Sequence, residues 1–122
     1  MKIKWDIRPK YDGLWLYGVD ITLFGLGLRI QLVKDFVKRR DEHICQYCGI
    51  YCEGSNCHAS HVIPVSHGQH LRFEPLNMKV LCYHHHLNFW HKNPIDAGKW
   101  FTQKFPERWK YLEKEKMISR KL

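Results

Sequence analysis

The stretch 81–91, LCYHHHLNFWH, places Cys82 ahead of three consecutive histidines, His84, His85 and His86, with His91 close behind. Cys82 and His85 make a C-x-x-H that mirrors Cys45 and Cys48 of CQYCG (45–49), a C-x-x-C followed by glycine. Two intervening residues let both side chains of a pair turn onto one ion, and the glycine relieves the tight backbone behind the first pair. Together the pairs supply the four ligands of a closed tetrahedral zinc site. Such a site ties the knuckle to a distant strand end and gives the metal a folding role. The local alternative recruits Cys52 and Cys57, as an all-cysteine zinc site or, more remotely, an iron–sulfur cluster. With the distant pair chosen, those two are spare or buried thiols. A thioredoxin-like C-x-x-C would need a βαβ context that the flanking sequence lacks.

Composition agrees with a small metal-braced domain. A chain of 122 residues supports one limited core, for which a structural metal is a common brace. Lys and Arg number 20 against 12 Asp and Glu, a formal charge of +8, which suits a polyanion such as nucleic acid or an acidic membrane surface, and equally serves plain solubility. Nine of those basic residues lie in 1–44 and nine in 92–122, whereas eight of nine histidines lie between His58 and His91. A His/Cys-rich centre is therefore flanked by two basic segments. The most apolar run, ITLFGLGL (21–28), is too short to span a bilayer, and MKIKWDIRPK (1–10) lacks the apolar core of an export signal. The expectation is a cytoplasmic protein whose cysteines bind metal rather than pair as disulfides.

Outward from the centre, residues 2–8 and 14–22 carry strand-like residues around a YDG turn, which predicts an N-terminal hairpin. Val33, Phe36 and Val37 fall at i, i+3 and i+4 of an amphipathic helix that should end near RRDEH (39–43). HVIPV (61–65) reads as a strand, SHGQHLRFEPLN (66–77) as a loop and MKVLC (78–82) as a second strand. YHHHLNFWH (83–91) reads as a helix that stops before Pro94. Asn93 is placed as N-cap of the next helix, with Pro94 at its first position, Asp96 in its first turn, and Trp100 and Phe101 on its apolar side. Pro106 opens a last helix in which Trp109 and Leu112 share a face. These aromatics read as core packing rather than base-stacking platforms.

The ordered set CQYCG, ASHVIP (59–64), EPLN (74–77) and LCYHHH (81–86) resembles an HNH nuclease of the ββα-metal (His-Me finger) superfamily with a zinc knuckle. More narrowly, FVKRRD (36–41), the stretch 59–82 and HKNPIDAGKWFTQKFPERWKYL (91–112) look like phage NinG (Rap-type) recombination proteins. The resemblance covers about residues 33–112. It implies an α+β fold, with a ββα-metal core and flanking helices as the nuclease domain (28–122), behind an N-terminal strand or hairpin extension (1–27). Carried over by position, His61 matches the general base, Asn77 the middle asparagine that shapes the site, and His86 a ligand of the catalytic divalent metal. Cys45, Cys48, Cys82 and His85 match the four zinc positions, the last usually a cysteine. Many such enzymes carry another metal ligand just before the base, where this chain has Ser60. Glu74 and His91 are the candidates for that missing ligand, although His91, five residues after His86, is turned off the same helical face.

The implied activity is metal-dependent hydrolysis of DNA phosphodiester bonds, leaving 3′-OH and 5′-phosphate, in phage recombination or DNA processing on duplex or branched DNA. A histidine with a pKa of about 6.5 is mostly neutral at cellular pH and can accept a proton from water, which suits His61. His86 would hold Mg2+, Mn2+ or another divalent cation. A symmetric cut of both strands would need two active sites, hence a homodimer. Arg39, Arg40 and Arg72 are the candidate DNA contacts, although Arg72 beside Phe73 could instead lie over apolar surface. Each role also has a plainer reading: His61 as a hydrogen-bonded strand histidine, Asn77 as a turn residue, His86 as a zinc ligand in place of His85. His67, His70 and His84 read as surface or loop histidines. The alternative function is a non-catalytic, zinc-stabilised nucleic-acid-binding module, with a protein-interaction zinc domain behind it.

Overall fold

The computed structural model describes residues 15, 16 and 19–119. The segment 2–8 and the YDG turn lie outside them. Within the second half of the expected hairpin, Trp15–Leu16 (β1) and Val19–Asp20 (β2) pair antiparallel, Trp15 opposite Asp20. Within the stretch 14–22, two short strands thus pair with each other where one strand was expected. The second leads into a 3-10 turn, Ile21–Leu23, capped by the Asp20 carboxylate, which accepts from the Thr22 amide and hydroxyl. Ile21 drops into the main core.

The chain then forms an α+β unit. Its first helix, Leu26–Arg40 (α1), buries Val33, Phe36 and Val37, the face expected from their spacing. Beyond it, Glu42 and His43 both adopt left-handed backbone (φ 57° each), which turns the chain sharply into the cysteine knuckle. The centre is an antiparallel ribbon of Cys57–His61 (β3) and Met78–Cys82 (β4), Cys57 opposite Cys82 and His61 opposite Met78. Every residue of β4 is buried.

α1 is fastened to β4 by its last turn. Asp41 accepts from the Val80 amide at 2.9 Å, while Arg40 donates to the carbonyls of Pro75 and Met78 at 2.7 Å each and pairs with Asp41 at 2.8 Å. The second strand is where the sequence placed it, but the first is not: β3 ends at His61, where HVIPV was expected to begin. The Val62 amide still reaches the Asn77 carbonyl, but the Ile63 amide is taken by the Asn77 side chain and Pro64 has no N–H, so the ladder stops. Residues 65–77 follow as a loop with three single 3-10 turns.

After β4 comes a short helix, Tyr83–His85 (α2), which runs directly into a π-helical turn, His86–His91. Pro94–Lys104 (α3) and Pro106–Ser119 (α4) complete the fold. Asn93 stands at the N-cap of α3 without capping it; its side-chain Nδ2–H donates instead to the Asn88 carbonyl at 3.2 Å, and its backbone N–H to the Phe89 carbonyl at 2.9 Å. Phe101 and Leu112 are buried in a second core with Ile63 and Leu71, against which Trp90, Trp100 and Trp109 pack. The aromatics of α3 and α4 are core, as read from the sequence. Among the described residues, no helix is long and apolar enough to cross a membrane.

Candidate metal centre and histidine cleft

The knuckle is built by the hairpin turn between Ile44 and Tyr51, which form an isolated antiparallel bridge. The Cys45 amide donates to the Ile50 carbonyl at 2.8 Å and the Gly49 amide to the Cys45 carbonyl at 2.8 Å. Gly49 has φ +81°, a conformation costly for any residue with a Cβ, so its place after the C-x-x-C is a steric requirement. The Gln46 amide donates to the Val80 carbonyl at 2.9 Å and thereby docks the turn on β4.

This docking brings Cys45, Cys48, Cys82 and His85 together, with ligand atoms all within 4.8 Å of one another. His85 Nδ1 stands 3.2 Å from Cys82 Sγ and 4.0 Å from Cys45 Sγ. Tetrahedral zinc, with sulfur at about 2.3 Å and nitrogen at about 2.0 Å, separates its ligand atoms by about 3.5 to 3.8 Å, so the four fit one ion. Burial pushes the Cys45 thiol up, but amide donors from Cys48, Cys82 and Tyr47 outweigh it and hold that thiol below its ordinary value. Burial pushes Cys48 up to about 11, helped by the neighbouring Cys45 and Cys82 sulfurs. Sulfurs crowded this closely are relieved by a shared cation. Cys52 and Cys57 are buried and stay outside the group. The donor set and its spacing could hold a metal ion and are consistent with zinc.

His86 looks the other way. It lines a cleft of about 820 Å³ together with His61, His91, Lys34, Lys99 and Trp90. His61, the last residue of β3, donates from Nε2–H to the Arg72 carbonyl at 3.0 Å. That bond leaves Nδ1 as the basic nitrogen of the neutral ring. Burial holds the His61 pKa below 6.5 and the charges of Lys34, Lys79 and Arg72 lower it further, against the opposing pull of the Arg72 carbonyl.

Asn77, fully buried, accepts from the Ile63 amide at 2.8 Å and donates to the carbonyls of Ile63 and Leu71 at 3.0 and 3.1 Å. All its amide capacity toward the loop is spent on holding 63–71, which in turn presents the Arg72 carbonyl to His61. Asn77 therefore sets the shape of the loop that follows β3.

His86 and His91 are brought face to face, Nε2 to Nε2 at 3.0 Å. In an α-helix, residues five apart lie about 140° apart around the axis, which would turn His91 off the face of His86. The π turn widens the helix so that i and i+5 stack, which corrects that expectation. Two imidazole nitrogens about 2.1 Å from one ion and 90° apart are about 3.0 Å from each other, so the pair fits two adjacent positions on a divalent cation. Burial first, then the charges of His91, His58, Lys79 and Lys34, push the His86 pKa down to about 4 and keep the ring neutral, as a ligand must be.

Other candidates serve elsewhere. Glu74 caps the turn at Leu76 and accepts from the Tyr111 hydroxyl at 2.8 Å, and burial raises its pKa; it is a structural carboxyl rather than the missing ligand. Ser60 is buried and its hydroxyl lies 2.9 Å from Lys79 Nζ. Arg40, expected to contact DNA, is committed to Asp41, Pro75 and Met78, because a guanidinium at the helix end finds the neighbouring Asp41 carboxylate and two carbonyls of β4 and its approach. Arg72 lies over the Phe73 ring at 5.3 Å, and Arg39 is exposed on α1. His84 is exposed beside Asn88, and His67 and His70 belong to the loop.

Three residues of this region escaped the sequence reading. His58 Nδ1 lies 2.6 Å from His86 Nδ1. Lys34 lines the cleft from α1. Lys79, fully buried in β4, donates to Ser60 Oγ and the His61 carbonyl (2.9 and 3.1 Å) and lies 3.1 Å from the centre of the Trp90 ring. A strand starting at Cys57 would have brought His58 into view, because it sets His58 opposite Leu81, at the edge of the histidine run.

No family model, no curated protein and no solved structure matches this chain.

Proposed function

We propose that the chain is a metal-dependent endonuclease that hydrolyses DNA phosphodiester bonds with a ββα-metal core, the reading its motifs suggest. One observation carries it: His61, with its Nδ1 left basic by the Arg72 carbonyl, shares a cleft with the His86–His91 nitrogen pair. His61 would accept the proton of the attacking water at Nδ1, and the Arg72 carbonyl would hold the resulting imidazolium in place. A divalent cation on His86 and His91 would supply Lewis acidity to the phosphate and to the departing 3′ oxygen. Lys34 and Lys99, at the walls of the same cleft, would draw the phosphate backbone in. Cys45, Cys48, Cys82 and His85 would hold structural zinc and set the start of the helix that carries His86.

The experiment is a cleavage assay on supercoiled, linear and branched DNA with Mg2+, Mn2+, Co2+ and Ni2+ in turn. Nicking or linearisation by the wild type, abolished in His61→Ala with zinc content and DNA affinity intact, is the expected result. Binding without cutting under every metal would replace the proposal with the non-catalytic zinc-stabilised DNA-binding module. Absence of DNA affinity even at low salt would exclude both readings.

A further inference from the structure

We infer that His58 is a positioning residue that fixes the tautomer of His86 and so turns its Nε2 lone pair toward the divalent cation. This rests on the reading of the cleft as a metal site, and its test is separable from that reading. A chain of three contacts carries it. His58 Nε2–H donates to the Ser55 carbonyl at 2.9 Å, since a carbonyl can only accept. The other nitrogen of the neutral His58 ring, Nδ1, is then an acceptor, and it stands 2.6 Å from His86 Nδ1. The proton between them belongs to His86. With Nδ1–H donated to His58, the lone pair of His86 is on Nε2, 3.0 Å from His91 Nε2 and on the cleft side.

The start of this chain is well anchored. Ser55 lies in the 3-10 turn Gly54–Asn56, and Asn56 Oδ1 accepts from the Tyr83 amide at 2.9 Å. The turn therefore grips the first residue of α2 while its carbonyl orients His58. Tyr83 also stands edge-on to the His58 ring, with centroids 5.7 Å apart. His58 is not itself suited to share the cation with His86. Two imidazole ligands of one ion are separated by about 3.0 Å or more, and 2.6 Å is the spacing of a short hydrogen bond. Ligand histidines ordinarily direct their second N–H to a carboxylate or carbonyl; here an imidazole backed by a carbonyl does that work.

The test uses the zinc-loaded full chain and its His58→Ala and His58→Asn variants. The Asn carbonyl oxygen stands near the position of the histidine Nδ1 and restores the acceptor without offering a nitrogen ligand. Mn2+ affinity, read from free Mn2+ by electron paramagnetic resonance, should fall about 10- to 100-fold in His58→Ala and recover most of that loss in His58→Asn. Zinc content should stay at one per chain throughout. Two-bond proton–nitrogen spectra of the imidazoles, recorded without Mn2+, should show His86 with its proton on Nδ1 in the wild type and on Nε2 in His58→Ala. Unchanged Mn2+ affinity in His58→Ala, a loss in His58→Asn equal to that in His58→Ala, or an Nε2–H tautomer of His86 in the wild type would each overturn the inference. If the tautomer is as stated and the wild type fails to bind Mn2+, the metal role assigned to His58 falls together with the cleft reading, and only the hydrogen bond between the two rings stands.

Discussion

Replacing Asn77 by alanine should unfasten the loop that serves His61, at a cost that can be worked from its contacts. Asn77 is fully buried and makes three hydrogen bonds to backbone groups of Ile63 and Leu71. At about 1 kcal/mol net for each bond, their loss amounts to about 3 kcal/mol. The abandoned Ile63 amide adds to that, because a buried donor left without a partner costs about 1 to 3 kcal/mol. The expected destabilisation is therefore about 4 to 6 kcal/mol, a large part of the stability of a domain this size. Asn77→Asp separates shape from hydrogen bonding. It keeps the acceptor for the Ile63 amide but points a carboxylate oxygen at two carbonyls, so it should be at least as damaging at pH 7. Protonation restores one donor. The pKa of that aspartate is thus raised in the folded state, and the penalty should shrink as pH falls through it. Urea unfolding followed by tryptophan fluorescence, with zinc content checked on each variant, measures all three proteins. A loss below about 1 kcal/mol for Asn77→Ala, or an Asn77→Asp as stable as wild type at pH 7, would refute the reasoning.

Cys82→Ala should lose the bound zinc and unfold the centre of the domain, whereas Cys57→Ala should keep one zinc per chain; metal analysis of the purified variants checks both, and the opposite pattern would return the site to the local cysteines. Because burial holds His61 below 6.5, the acid limb of the cleavage rate should have its midpoint under pH 6.5, with the neutral base populated above it. Lys34→Gln should move that midpoint upward, and a wild-type midpoint above 6.5 would contradict the site electrostatics. Burial, together with the charge of Arg108, holds the Lys79 pKa well below 10.5, so the folded state binds its proton less tightly than the unfolded chain. Stability relative to Lys79→Met should therefore rise as pH climbs toward 10.5, a trend that paired urea titrations at several pH values would reveal or exclude.

The parts of this fold legible in the sequence were those written in ligand chemistry and helical period. The C-x-x-C and C-x-x-H spacings marked the four residues that meet in the candidate metal centre, and the burial of Val33, Phe36 and Val37 followed from their period. What stayed hidden depended on groups distant in sequence. β3 begins at Cys57 because β4 pairs with it, and CHASH carries none of the Val, Ile, Thr, Tyr, Phe or Trp that favour strands. Arg40 resembled a surface cation because the acceptors that draw it inward, at Pro75 and Met78, arrive from another part of the chain. Lys79 was obscured for the same reason, since a lysine inside MKVLC finds its partners only when Ser60, His61 and Trp90 close around it. The helix expected at 83–91 is present, but its change of pitch is not a property of composition.

That change of pitch makes the helix tolerant of a shortening that other helices resist. Removing one residue from an α-helix rotates everything beyond it by about 100° and scrambles the faces it presents. The turn His86–His91 holds one residue more than an α ladder would need between its histidines. Excision of the exposed Asn88 would let the hydrogen bonds revert from i→i+5 to i→i+4. The second histidine would return to the same face as the first, with Phe89 and Trp90 carried along in step. The turn thus behaves as a reserve of one residue, through which the chain can change length beside its most demanding side chains without changing where they point.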